Sequence, residues 1–177
     1  MLLDDPNALH VMLDLEALAT TGDAAIVQIG AVAFTLGGKA GAAFHRHLYA
    51  HPAMRQDPAT LDWHKTKGTY PPPTDVQAYS LRTAIFDFND WLRDLGTPDA
   101  VWSWGSTYDF PILAHAHLLT GIPCRWKYWQ QLCARTVWQC AFGDARHAPR
   151  PHNALEDARA AVADLQTAWK ELTFPRS

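Results

Sequence analysis

Three apolar runs fall within the first fifty residues, and their close spacing limits the folds open to this chain. His10-Val11-Met12-Leu13 opens a strand of about His10 to Leu15. A second strand of about Ala25 to Thr35 has Ile26, Val27, Ile29 and Val32 as its apolar body. Gly37-Gly38 supplies a turn, and a third strand follows at about Ala42 to Tyr49. Parallel neighbours need a long crossover, so short links predict an antiparallel meander.

The periodicity then changes. Thr60 to Lys67 reads as a short helix. A longer one spans about Ser80 to Leu95, where Leu81, Ile85, Phe88, Leu92 and Leu95 keep the 3.6 period and Gly96 stops it. Ala100 to Trp104 reads as a buried strand, and Phe110 to Leu119 as a helix closed by Gly121. Trp126 to Phe142 divides into a short strand and a helix from about Arg135. The last helix, Asn153 to Leu172, carries an apolar stripe of Leu155, Ala158, Val162, Leu165, Trp169 and Leu172. A meander followed by alternating helices and strands predicts an α/β domain with a mixed sheet. A chain of 177 residues suits one such domain, with its core over about residues 10–172.

Charge and composition narrow the partners. The formal charge of −3 gives no global attraction for nucleic acid, so a nucleic-acid partner must be held by metals and local basic groups. Eight tryptophans are many for this length; most belong in a core, and one or two can stack on bases. Cys124, Cys133 and Cys140 lack a CxxC spacing, which suits reduced thiols in the cytoplasm. Neither a signal peptide nor a membrane-spanning run is expected.

Two short segments carry the chemistry. Asp14-Leu15-Glu16 ends the first strand, and side chains two apart on a strand point the same way. His152-Asn153-Ala154-Leu155-Glu156-Asp157 opens the last helix. Asn153 reads as its N-cap and Glu156 as the capping-box partner, leaving His152 in the preceding loop and Asp157 in the first turns. Carboxylates suit hard divalent cations, and a histidine beside them can take a proton from water. The combination suggests metal-assisted hydrolysis, with a phosphodiester as the substrate. Asp109 is a third candidate ligand, because it follows the strand Val101-Trp102-Ser103-Trp104 at the carboxyl end of the sheet. Trp104 borders the same groove, and Trp63 and His64 are weighed as substrate-facing residues.

Each residue also has a plainer reading. An isolated Asp-x-Glu is usually a solvated strand end, and an aspartate opening a helix is usually a cap. His45 and His47 read as surface or edge residues of the third strand. His115 and His117 face apart on a helix and do not share a metal. Arg135 is read as support for the site or for a subunit contact. It is the ordered set of carboxylates and histidine that outweighs these readings.

That set resembles the DEDDh 3′–5′ exonucleases of the ribonuclease H-like fold. Asp14 and Glu16, then Asp109, then His152 and Asp157 in an HxAxxD pattern fill the five signature positions in order. The runs 12–16, 23–32, 104–109 and 134–136 look most similar to a branch of phage-encoded 3′–5′ exonucleases and related bacterial exoribonucleases. Tyr108 replaces the usual Phe, and Cys133 stands near a usual acidic position. The resemblance implies two divalent cations, Mg²⁺ or Mn²⁺, held by Asp14, Glu16, Asp109 and Asp157, with Asp14 bridging them. It implies that His152 deprotonates the attacking water. It also implies a terminal-nucleotide pocket lined by Leu15, Ala17 and Leu18, and release of nucleoside 5′-monophosphates from a single strand with a free 3′-hydroxyl. DNA and RNA remain alternatives. Related small exonucleases often form dimers, so a homodimer is expected. Two competing readings are a non-catalytic nucleic-acid-binding domain and a cysteine hydrolase using Cys133 with His152. The first requires a broken metal set, and the second leaves three carboxylates unexplained.

Overall fold

A computed structural model of the chain describes residues 5, 7–38, 40–144 and 149–173. Strands β1 (His10–Ala17), β2 (Ile26–Phe34) and β3 (Ala43–Leu48) form the expected antiparallel meander, with Asp14 opposite Gly30 and Gly30 opposite His45. Helix α1 (Pro58–Lys67) leads to β4 (Ala78–Tyr79), which joins the edge beside β3, and then to α2 (Leu81–Leu95). Strand β5 (Ala100–Ser103) lies parallel to β1. Helix α3 (Ser106–Thr120) follows, and β6 (Gln131–Cys133) runs parallel to β5. Helices α4 (Ala134–Phe142) and α5 (Ala154–Thr173) end the described fold. The sheet order is β4-β3-β2-β1-β5-β6. It is the mixed sheet expected of the ribonuclease H-like class, and only the two-residue β4 is too short to leave an alternation in the sequence.

The alternation of β1 divides the core. Val11, Leu13 and Leu15 pack with Ile85, Phe88 and Leu92 of α2 and with Ile112 and Leu113 of α3. Met12 points the other way, into a second cluster with Val32, Trp102 and Ala158, Val162 and Leu165 of α5. Asp14 and Glu16 continue the Met12 row, so the strand period presents both carboxylates to the α5 side.

Local differences from the sequence reading have local causes. Helix α3 starts at Ser106, four residues before Phe110. Pro111 resembles a helix opener, yet it lies in the second turn, where its missing N–H costs one intrahelical bond. His45 and His47 are half-buried with rings 4.7 Å apart, because β3 is covered by α5 on that side. His117 is buried and bonded to the Ile122 carbonyl at 2.9 Å, while His115 stands apart from it as expected. Ser80 caps α2 by accepting the Thr83 N–H.

One contact fixes the position of α5. A β-carbon added to Gly30 would lie 2.2 Å from the carbonyl carbon of Ala154 and 2.3 Å from the Leu155 nitrogen. The first turn of α5 therefore rests directly on the backbone of β2, and only glycine permits that approach. Both obstructing groups are backbone, so no side chain can yield. Gly30→Ala should lower the unfolding free energy by about 1–3 kcal/mol or more, measured by urea denaturation. A change within about 0.5 kcal/mol, the range of an inconsequential surface substitution, would show that α5 is not seated there.

Candidate active site

Four carboxylates and one histidine converge where β1, α3 and α5 meet. Asp14 and Glu16 come from the end of β1, and the register with β2 shifts between Glu16 and Ala17. Such a bulge bends a strand end and re-aims its side chains. Asp109, the fourth residue of α3, is buried, and its Oδ1 accepts the Leu15 N–H at 3.2 Å. Asp157 lies in the first turn of α5. Asn153 caps that turn, its Oδ1 accepting the Glu156 N–H at 3.2 Å. Glu156 does not complete a capping box. Its carboxylate turns outward to Arg159 at 2.6 Å, since an exposed guanidinium is within reach.

His152 precedes the cap with φ of 60°, a left-handed conformation that few non-glycine residues adopt. This turn sets its ring edge-on to Trp63, with centroids 4.7 Å apart. Glu16, His152 and Asp157 offer ligand atoms that all lie within 4.8 Å of one another. Asp157 Oδ1 is buried without a hydrogen-bond partner among the described residues. A buried, unpaired carboxylate oxygen beside other carboxylates is what a cation ligand requires.

The electrostatics agree. Burial, reinforced by repulsion from Asp109, Glu16 and Asp157, raises the pKa of Asp14 well above the usual carboxylate range. Burial, with repulsion from Asp157 and Asp109, pushes Glu16 up to about 8. Burial raises Asp109 to about 7, although the neighbouring Ser103 hydroxyl, the Leu15 N–H and the Arg135 guanidinium pull it down. Asp157 is raised by burial as well, against the pull of His152 and Arg150. Carboxyls gathered and partly buried together are driven toward their protonated forms, a bias that a bound cation would reverse.

A cleft of about 600 Å³ opens over these groups. Asp14, Glu16, Asp109, His152 and Asp157 all line it, as do Leu15, Ala17, Trp104, Trp63 and Arg135. Leu18 does not line it. Its side chain is fully buried in the core, and its N–H and carbonyl are bonded to Ala25 and Asp57, so it cannot wall a nucleotide pocket. Cys133 is not a lining residue either. Burial acts to raise its thiol, but hydrogen bonding from Thr136 and Ser106 prevails and brings it to about 7. The thiol therefore has no place beside His152 in the cleft. The three cysteines are unpaired.

Four supporting groups escaped the sequence reading or gained a role from the structure. Gln28, buried in β2, accepts the Ala154 N–H at 3.2 Å and donates to the Thr69 carbonyl at 3.4 Å. It joins the start of α5 to the end of α1, and a polar residue inside the run Ile26–Phe34 was its only signal. His64 donates from Nε2 to the Ala17 carbonyl at 3.0 Å and accepts from the Thr69 hydroxyl at 2.7 Å. Burial holds its pKa down, so it is a neutral brace for the end of β1. The Tyr108 hydroxyl donates to the Ala19 carbonyl at 3.1 Å, which gives the unusual tyrosine a partner that phenylalanine lacks. Arg150 enters the cleft wall from the segment just before His152.

Comparison with known proteins identifies the fold and the family. The chain resembles CRN-4, a cell-death related nuclease, with a TM-score of 0.68 and 14% identity over 96% of this chain; it spans only 65% of that protein's chain. It is similar to the nuclease domain of 3′hExo, a DEDDh family member bound to rAMP (TM-score 0.67, 12% identity, 92% of each chain). It also resembles S. pombe Pop2p in a form bound to Mg²⁺ and Mn²⁺ (TM-score 0.64, 12% identity, 93% of this chain and 84% of that one). Identities this low speak for a shared ribonuclease H-like exonuclease fold. No curated protein matches the chain in sequence. A family model does match, over residues 9–169, and its description is the 3′–5′ exoribonuclease Rv2179c-like domain. With that match across nearly its whole length, and a cleft in which a carboxylate set and a histidine converge, the chain belongs to the Rv2179c-like 3′–5′ exoribonuclease family.

Proposed function

We propose that the protein removes nucleoside 5′-monophosphates one at a time from the free 3′-hydroxyl end of single-stranded RNA, using two divalent cations, Mg²⁺ or Mn²⁺. The observation that carries this reading is the convergence of Glu16, His152 and Asp157 within 4.8 Å, beside Asp14 and Asp109 in one cleft. The donor set is oxygen-rich and anionic, which fits those cations. Asp14, Glu16, Asp109 and Asp157 would hold them. When bound, they would supply Lewis-acid stabilisation of the attacking and leaving oxygens.

The chain's own residues supply the rest. His152 accepts the proton of the attacking water, and Trp63 holds its ring in place. Leu15, Ala17 and Trp104 provide the surface for the terminal nucleotide, with Ala17 braced by His64. RNA is favoured over DNA by the family description. A homodimer is favoured by Phe86, Leu118, Tyr128 and Trp129, which stay exposed at 56%, 78%, 80% and 60%. A cytoplasmic setting is favoured by the unpaired thiols, and among the described residues no helix is long and apolar enough to cross a membrane.

A 5′-labelled single-stranded RNA should give a ladder that shortens from the 3′ end and depends on Mg²⁺ or Mn²⁺. Early release of labelled mononucleotide, cutting of a circular strand, or preference for a matched DNA would refute the corresponding part of the reading. In the same assay His152→Ala should lose about 10²–10⁴-fold in rate. It should keep its cation affinity by calorimetry, whereas Asp157→Ala should lose both. Equal loss of affinity in the two variants would make His152 a ligand instead of the base.

The titration behaviour gives a second test. Glu16 and Asp109 have ordinary values of 4.5 and 3.8, and the folded, metal-free protein holds them near 8 and 7. The stability their protonated forms contribute is complete below the ordinary values and is lost as pH rises through 7 and 8. Melting in EDTA should therefore show wild type falling relative to Glu16→Gln between pH 5 and about 8, and Mg²⁺ should reverse the fall at the upper end. Parallel curves would show that Glu16 is not confined with other negative groups. For assembly, light scattering should report a dimer across the active concentration range; a monomer throughout would remove the dimer from the proposal.

A further inference from the structure

Arg150 is a largely covered cation whose binding capacity the described residues do not fill. Its side chain is only 11% exposed. Nη2 is bonded to Asp164 Oδ2 at 2.7 Å, two turns along α5 from Asp157. The guanidinium lies 4.8 Å from the centre of the Trp104 ring. Nη1 is buried and has no hydrogen-bond partner among the described residues. The residue lines the same cleft as the carboxylates, and its charge pulls the Asp14 and Asp157 carboxyls down.

A charged donor left without an acceptor is costly, so such a group calls for a ligand. The four surrounding carboxylates do not meet the need, since none lies within ion-pair distance of it among the described contacts. The guanidinium is tied along one edge and stacked on one face, so its orientation is set before a ligand arrives. The chemistry that fits a guanidinium in the wall of an acidic, cation-holding cleft is an oxyanion that the cations hold as well. We infer that Arg150 is a further catalytic residue, whose guanidinium donates from the cleft wall to a non-bridging oxygen of the scissile phosphate and then to the 5′-phosphate of the released nucleotide. The inference rests on the exonuclease reading. It explains how a chain of net charge −3 receives a phosphate in an acidic cleft: the compensating charge is local, from Arg150 and Arg135 in the cleft wall. Asp164 is then a positioning residue that holds the fork.

The test uses the product. Calorimetric titration with 5′-AMP and with adenosine, both in Mg²⁺, separates the phosphate contact from the nucleoside contacts. Arg150→Met keeps an apolar stem against Trp104, and Arg150→Lys keeps the charge without the fork. Both should weaken 5′-AMP on the order of 10- to 100-fold, with the lysine variant less affected, and leave adenosine unchanged. Mg²⁺ affinity should hold or tighten, because a positive neighbour is lost. The value of kcat/KM on RNA should fall in step with 5′-AMP affinity, and Asp164→Asn should show a smaller fall with unchanged Mg²⁺ binding. The inference is overturned if 5′-AMP affinity stays within about twofold of wild type, if 5′-AMP and adenosine weaken alike, or if Mg²⁺ affinity drops, which would make Arg150 a structural support for the metal site. A wild-type protein that binds 5′-AMP through Arg150 but hydrolyses no RNA would count against the exonuclease reading and leave the phosphate contact standing.

Discussion

The seating of α5 on the bare backbone of Gly30 is the constraint from which the site follows. Helix and strand meet without an intervening side chain, so the first turn of α5 is placed to within the tolerance of a backbone contact. Gly30 is also the register partner of Asp14. The helix that carries Asp157, and the loop that carries His152, are thereby brought to the carboxyl end of β1. Gln28, one pleat along β2, adds a hydrogen bond to the Ala154 N–H and so opposes sliding of the same turn. Precision of this kind is what the proposed metal ligands and base would demand, since small displacements separate groups that must share one site.

The cost of this placement is electrostatic. Glu16, Asp109 and Asp157 are buried, Asp14 is half-buried, and their carboxyls all titrate above their ordinary range. The fold tolerates them because two packed layers on either side of the sheet supply apolar stabilisation independent of the site. The cleft is thus held together by groups that do not themselves react: the β1 and α5 backbones, Gln28 and the neutral His64. Its titratable groups are left poorly satisfied, a pattern that marks candidate ligand sites.

Most of the architecture could be read from periodicity. The period-2 runs before Tyr49 and the 3.6 stripe of Leu81, Ile85, Phe88 and Leu92 are local signals, and they located the meander and α2 correctly. Where a local signal pointed the wrong way, a non-local contact overrode it. The apolar run from Phe110 set the expected helix start, but α3 begins at Ser106, and Asp109 in its first turn accepts the Leu15 N–H from β1. The family resemblance implies Leu18 as a pocket residue, yet its side chain is fully buried in the core. The two-residue β4 left no pattern at all.

The sequence by itself determined the residue types of the candidate site and their order, because a D-x-E at a strand end and an HxAxxD at a helix start are local patterns that strand and helix geometry make legible. It also determined which side of β1 the carboxylates share, since alternation along a strand needs no partner. Only the tertiary structure decided what surrounds them. Arg150, Gln28 and His64 are single polar residues without a local pattern, and their partners Asp164, Ala154 and Ala17 lie 14, 126 and 47 positions away in the chain. Hydrogen bonds and stacking across such separations depend on how sheet and helices pack, which no window of sequence encodes.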